Sequence, residues 1–445
     1  MGPENFSRQK EDRVCYAYDA TRRSFMPEAV VFPENTAQVA AILRLASKHG
    51  FGVTPRGAGS GMSGGSLAVC GGLVMAMNRF ARIISIDTDN FIAIVEPGVV
   101  TGVFQKAVAE RGLFYPPDPS SADFSTLGGN LAECAGGPKA VKYGVTRDYV
   151  IGLEVVLPTG EVLRTGVRTA KGVVGYDLTR LIVGSEGTLG VITEMTLRLL
   201  ALPEAVETLA ASFDDMYQAV GCVAGIMRSA IVPRAVEFMD RNSILCVIDY
   251  LGEGFLKDAG AMLLIETDGT VQEAGMAAER IAEILWRKGA KQVETAKSPE
   301  EAQDLWKARK ALSPALYTYG PDKINEDIVV PRSRLPEMAE RIKLLGEKTG
   351  LTMVSFGHAG DGNIHFNIMY DSSRPEQEVA ARQAVAEIFD YTLELGGTIS
   401  GEHGVGIAKA PYMEKEINPD VLALMKRIKA AFDPAGVLNP GKMRL

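Results

Sequence analysis

Residues 55–65 read PRGAGSGMSGG, five glycines in eleven positions. Glycine lets successive backbone N–H groups turn inward, and such a nest holds phosphate oxygens. The run is not GxGxxG opening a long amphipathic helix, and no lysine closes it as in GxxxxGK[ST]; neither a Rossmann site nor a P-loop fits. Alone it reads as a flexible loop or a phosphate cradle. Two further stretches tilt the reading. Residues 116–148 run PPDPSSADFSTLGGNLAECAGGPKAVKYGVTRD, and residues 184–190 run GSEGTLG into an alternating segment over 190–200. Three glycine-rich loops in one region suit a large, extended cofactor better than a small ligand.

The elements around these loops are short. A helix is expected over 35–50, with Asn35 as cap and Gly50 as its end. Strands are expected at 73–77, 83–87 and 92–97, a helix at 101–111, a hairpin of 150–158 with 161–165 about Thr159-Gly160, and a strand at 190–200. After Pro203 the alternation lengthens. Strands are expected at 206–213, 235–239, 261–267 and 291–295, helices at 214–229, 270–288, 298–312 and 331–350, two strands within 352–370, and helices at 375–395 and 412–431. This order predicts an α+β chain with a domain boundary near 203.

Composition sets the outer limits. Of 445 residues, 46% are hydrophobic and 23% charged, as in soluble globular chains. A net charge of −8 without a basic stripe argues against nucleic-acid binding. No apolar run reaches the roughly 18 residues of a membrane span, and the polar start lacks a signal-peptide core; cytoplasmic residence is the expectation. Five widely spaced cysteines without Cys-x-x-Cys give neither a disulfide framework nor an iron–sulfur cluster in this chain.

Histidine is rare, and three of the four cluster late, at 358, 365 and 403. The segment GHAGDGNIHFN (357–367) has an Asp-Gly-Asn turn between two histidines, which would bring His358 and His365 onto facing strands. Such a pair either makes ordinary hydrogen bonds or holds a metal ion. SGEHGVG (400–406) offers a carboxylate and a third imidazole. Arg309, on an expected helix, is either a solvated side chain or a bidentate grip for a carboxylate.

The order PRGAGSGMSGG, GGNLAECAGGPKAVKYGVTRDYVIGLEVVLPTG, VGSEGTLGVIT resembles the FAD-binding domain of the vanillyl-alcohol oxidase/p-cresol methylhydroxylase superfamily. The likeness spans nearly the whole chain. It is greatest to the branch of glycolate oxidase flavin subunits and D-lactate and D-2-hydroxyglutarate dehydrogenases. It implies a two-part FAD-binding domain at 23–203. Residues 204–445 would form a ferredoxin-like α+β substrate and metal domain with a C-terminal helical segment, the last ~40 residues packing back on the FAD domain. It assigns Arg56, Gly57, Ala58, Gly59, Ser60 and Gly61 to the FAD pyrophosphate, Asp118, Ser120, Gly129, Asn130 and Gly137 to the flavin, and Ile192 to the adenine side. Some relatives attach FAD covalently through a first-loop histidine; Ser60 stands at about that place, so the FAD is expected to be non-covalent.

The same resemblance implies a divalent metal, zinc first among candidates, on His358, His365 and Glu402, with His403 as the base. Substrate would be held by Arg309, Asn367 and Lys323. Dicarboxylate-oxidising relatives carry a lysine where this chain has Asn325, which favours D-lactate or glycolate over D-2-hydroxyglutarate. An alkyl-glycerone-phosphate-synthase-like flavin transferase is the alternative from another class. Electrons would leave to an iron–sulfur subunit, an electron-transferring flavoprotein or a quinone, with any contact to the inner membrane made through that partner.

Overall fold

The computed structural model describes residues 2–251 and 258–445 and divides into two compact units. The first comprises Met1–Gly136, Gly144–Leu202 and Glu402–Leu445; the second comprises Gly137–Tyr143 and Pro203–Gly401. Among the described residues no helix is long and apolar enough to cross a membrane.

Among the described residues the first unit holds a two-stranded sheet, Leu113–Phe114 with Leu200–Ala201, and two larger ones. In one, Ala29–Val31 and Val53–Arg56 lie parallel to Leu73–Ala76, and Phe6–Ser7 joins the edge antiparallel. In the other, Ile83–Asp87, Ile92–Val95, Val191–Arg198, Val150–Val156 and Val162–Gly166 form an antiparallel five-stranded sheet in that order. The helix Thr36–His49 covers the parallel sheet. Asn35 caps it by accepting from the Gln38 N–H, and Gly50 ends it in the left-handed region at φ 72°. Val39, Leu43 and Ala46 on its inner stripe are buried with Val53, Met75 and Val156.

The chain's last segment completes this unit. Val437 and Leu438 enter the same core cluster, and Val53 exchanges backbone hydrogen bonds with Val437 and Asn439, both at 2.8 Å. The expected single helix at 412–431 is two, Met413–Glu416 and Pro419–Phe432. Asn418 caps the second by accepting from the Asp420 N–H, and Pro419 at its first position cannot continue the one before.

Lys442, 1% exposed, donates to the Leu67 carbonyl at 2.6 Å and to Asn439 Oδ1 at 3.2 Å. Burial pushes its ammonium down to about 8, against the pull of Cys70, Glu186, Asp19 and Glu133. An unfolded lysine titrates near 10.4, so between these values the unfolded chain binds more protons and stability rises with pH. Below pH 8 the buried charge carries a constant cost of about 3 kcal/mol. Relative to Lys442→Met, the wild type should therefore gain about 2 kcal/mol of unfolding free energy between pH 7 and pH 10. Denaturant titrations at both pH values measure this; a pH-independent difference contradicts it.

The second unit is built on one seven-stranded sheet, ordered Gln292–Thr295, Ala205–Phe213, Ala261–Gly269, Ala235–Asp240, Thr352–His358, Asn363–Tyr370, Asp322–Val329, every neighbour antiparallel. On one face the helices Arg241–Leu251 and Pro299–Ala315 pack through Ile244, Val247, Leu312 and Ala315 against Met239, Leu264, Val354 and Phe356. Neither the helix Arg241–Leu251 nor the edge strand Asp322–Val329 was expected from the sequence.

Candidate active site

Strand alternation gathers the polar residues of the second unit on one face. Glu237 pairs in register with His358, Phe356 with His365, Val354 with Asn367, Asp327 with His365 and Asn325 with Asn367. Glu237, Phe356, His358, His365, Asn367, Asp327 and Asn325 thus form a stripe across four strands. The same face carries the helix that bears Arg309.

The histidines sit diagonally rather than directly opposite, because His365 pairs with Phe356. The connection closes with the Gly362 N–H donating to the His358 carbonyl at 3.1 Å. Gly362, at φ 93°, is needed there: a Cβ would collide with the Val330 carbonyl oxygen. Both imidazoles are buried, and their Nε2 atoms face each other at 3.3 Å. Two ligands of a tetrahedral ion with metal–nitrogen bonds of about 2.0–2.1 Å lie about 3.3 Å apart. The pair therefore fits a shared divalent ion.

Behind His358 lies Glu237, 0% exposed. Its Oε1 is 2.5 Å from His358 Nδ1, and its Oε2 accepts from Arg309 Nε at 2.7 Å. Burial pushes this carboxyl up; the His358 and Arg309 charges and hydrogen bonds outweigh that and hold it below its ordinary range. Arg309 is itself buried, with its guanidinium carbon 4.7 Å from the centre of the Phe356 ring.

On the other side, fully buried Asp327 accepts from the Gly401 N–H at 2.8 Å and the Ser400 hydroxyl at 3.4 Å. The strap of residues 398–401 is thereby tied to the strand beside His365, one peptide bond before Glu402. Asn367, fully buried, accepts from Asn325 Nδ2 at 2.6 Å and donates to the Val354 carbonyl at 3.3 Å. Its amide is thus engaged within the sheet, and Asn325 stands next to it. Lys323, farther along the same strand, donates to Ser313 at 3.3 Å, and its ammonium lies 5.2 Å from the Tyr317 ring centre.

In the first unit, Gly57, Gly59, Ser60 and Gly61 are partly exposed and Ala58 is exposed. Arg56 braces the loop from inside: its Nη2 donates to the Tyr18 carbonyl at 2.7 Å and its Nη1 to Ser66 Oγ at 3.0 Å. Gly59, at φ 71°, has no room for a Cβ beside that guanidinium. The Arg56 guanidinium is thus engaged within the loop. Asn130 is buried and donates to Thr101 Oγ1 at 2.8 Å, while Gly129 is partly exposed in the same short helix, Leu127–Glu133. Asp118 is partly exposed and Ser120 exposed. Gly137 falls in the short piece belonging to the second unit, and Ile192 lies on the strand Val191–Arg198.

His403 is partly exposed and is followed by Gly404 at φ 80°. The next two amides, of Val405 and Gly406, donate to the two carboxylate oxygens of Glu186, each at 2.7 Å. Glu186 itself takes the left-handed region at φ 51° within the third glycine-rich loop. That loop therefore anchors the backbone just after His403. Glu237, Asp327 and Glu186 were missed in the sequence; for Glu237 the available signal was an acidic residue within an otherwise apolar strand, and for Glu186 one within a glycine-rich turn.

The profile described as FAD binding domain matches residues 27–166, and that described as FAD linked oxidases, C-terminal domain matches residues 202–443. The protein is an FAD-dependent oxidoreductase. It belongs to the FAD-linked oxidase family. It is 45% identical to glycolate oxidase subunit GlcD of Bacillus subtilis over 99% of this chain and 94% of that one. It is 35% identical to D-lactate dehydrogenase of Anaerostipes hadrus, over 94% of this chain and 89% of that one. p-Cresol methylhydroxylase shares the fold, with a TM-score of 0.82 at 21% identity, covering 100% of this chain and 94% of that structure.

Proposed function

We propose that this protein oxidises a small D-2-hydroxy acid, D-lactate or glycolate, to the 2-oxo acid and passes the electrons to a separate acceptor. The observation that carries the reading is the buried pair of Nε2 atoms 3.3 Å apart, joined through Glu237 to buried Arg309. A divalent cation and a guanidinium together suit a substrate bearing a hydroxyl beside a carboxylate. The names of the relatives point to the same substrate class.

His358 and His365 are the metal ligands, with Glu402 as third; zinc suits this nitrogen and oxygen set. The amides of 57–61 hold the FAD pyrophosphate, and Asp118, Ser120, Gly129 and Gly137 line the flavin, with Ile192 toward the adenine. When bound, FAD supplies the hydride acceptor and the metal ion a Lewis acid for the substrate oxygens. His403 takes the hydroxyl proton. Arg309 grips the carboxylate, Lys323 adds positive charge along the strand, and Asn367 holds Asn325 in place. An iron–sulfur subunit, an electron-transferring flavoprotein or a quinone then takes the electrons.

Anaerobic addition of D-lactate or glycolate to the purified holoprotein should bleach the flavin absorbance without any partner. If neither acid bleaches it while D-2-hydroxyglutarate does, the substrate reading fails; bleaching by no hydroxy acid removes the activity itself. The FAD is expected to be non-covalent: acid precipitation should release yellow colour, and a yellow pellet would contradict this.

Arg309→Ala should raise KM about 30-fold, the equivalent of about 2 kcal/mol for a charge-assisted bond, and change kcat much less. The grip acts on substrate before and during reaction alike, which is uniform binding. An unchanged KM for every accepted acid would return Arg309 to a purely structural role.

A further inference from the structure

Glu237 has no part in the ligand, base or substrate assignments above. It sits mid-strand in AVEFMD, between Val236 and Phe238, at 0% exposure. A carboxylate so placed costs several kcal/mol to desolvate and is tolerated only with good partners. Here each oxygen has one: Oε1 faces His358 Nδ1 at 2.5 Å, and Oε2 accepts from Arg309 Nε at 2.7 Å.

We propose that Glu237 is a positioning residue that links the metal ligand His358 to the carboxylate grip Arg309. Toward His358 it fixes the tautomer protonated at Nδ1, which turns the Nε2 lone pair to the side where His365 Nε2 stands. Toward Arg309 it occupies the Nε edge while Phe356 lies against the guanidinium face. The edge bearing both Nη atoms is thereby set for a bidentate carboxylate. One buried side chain thus sets the spacing between the two points at which a 2-hydroxy acid is held. The proposal rests on the reading of the site given above.

A buried ion pair with only a structural role predicts something different: lower thermal stability, with metal affinity and KM unchanged in whatever protein folds. The test uses Glu237→Gln, Arg309→Ala and the double variant, each loaded with FAD. Metal affinity is read by titrating zinc into metal-stripped protein against a chromophoric chelator. Glu237→Gln should bind zinc 10–100-fold more weakly than wild type, the usual effect of losing a carboxylate behind a ligating histidine. At saturating zinc it should also raise KM several-fold, and in the Arg309→Ala background at saturating zinc it should raise KM no further, while zinc affinity is still weakened.

Wild-type zinc affinity in Glu237→Gln overturns the proposal. So does a KM effect that simply adds to that of Arg309→Ala. If Glu237→Gln yields no FAD-loaded protein, Glu237→Asp takes its place, since a retracted carboxylate keeps the charge but cannot reach both partners; wild-type zinc affinity and KM there overturn the proposal equally. Absence of stoichiometric zinc binding by the wild type is a separate result: it removes the metal reading, and this proposal with it.

Discussion

Replacing His403 with alanine is expected to lower kcat and kcat/KM together by about 10²–10⁴-fold, the usual contribution of a positioned general base. The proton leaves the substrate hydroxyl in the transition state, so removing its acceptor does not weaken ground-state binding. The loop should survive the substitution. Its path after His403 is set by Gly404 at φ 80° and by the Val405 and Gly406 amides on Glu186, none of which uses the imidazole. Because Glu402 is adjacent, metal and FAD content are measured alongside. A variant that keeps both and still turns over D-lactate or glycolate at the wild-type rate removes His403 from the base role.

Stripping the metal should abolish hydroxy-acid oxidation while leaving FAD in place, and zinc should restore it. The reason is segregation along the chain. Two of the three proposed ligands, His358 and His365, belong to the second unit, whereas the cofactor loops at 55–65, 116–136 and 184–190 belong to the first, as does Glu402. Chelation thus leaves the flavin spectrum intact but leaves the substrate without a Lewis acid. Full turnover in protein verified as metal-free sinks the assignment; loss of FAD together with the metal sinks the segregation.

Much of this molecule was legible in its sequence because local rules and burial agree. The helix Thr36–His49 has its cap, its apolar stripe and its terminal glycine in the expected places. The histidine hairpin was legible because Asp-Gly-Asn allows few alternatives. The strand Asp322–Val329 was not, for a physical reason. Its site-facing positions are Lys323, Asn325 and Asp327, so alternation puts polar residues where a core-facing strand would put apolar ones. The helix Arg241–Leu251 escaped because it follows its strand with no turn between them: Asp240, the last strand residue, is also the cap, accepting from the Ser243 amide at 2.7 Å. Glu237 and Asp327 could be read as acidic residues in strands, but nothing local says that a buried acid faces a histidine 121 positions on or a strap 74 positions on.

The first unit closes on a segment far along the chain from the strands it covers. Lys442 donates to a carbonyl 375 positions earlier, and Val437 and Leu438 belong to the same core as the helix that begins at Thr36. The whole of the second unit therefore lies, in sequence, between the early strands and the residues that complete their core. The cofactor unit is thus a discontinuous one, whose closing contacts span the longest sequence separations and carry the largest loop-closure cost.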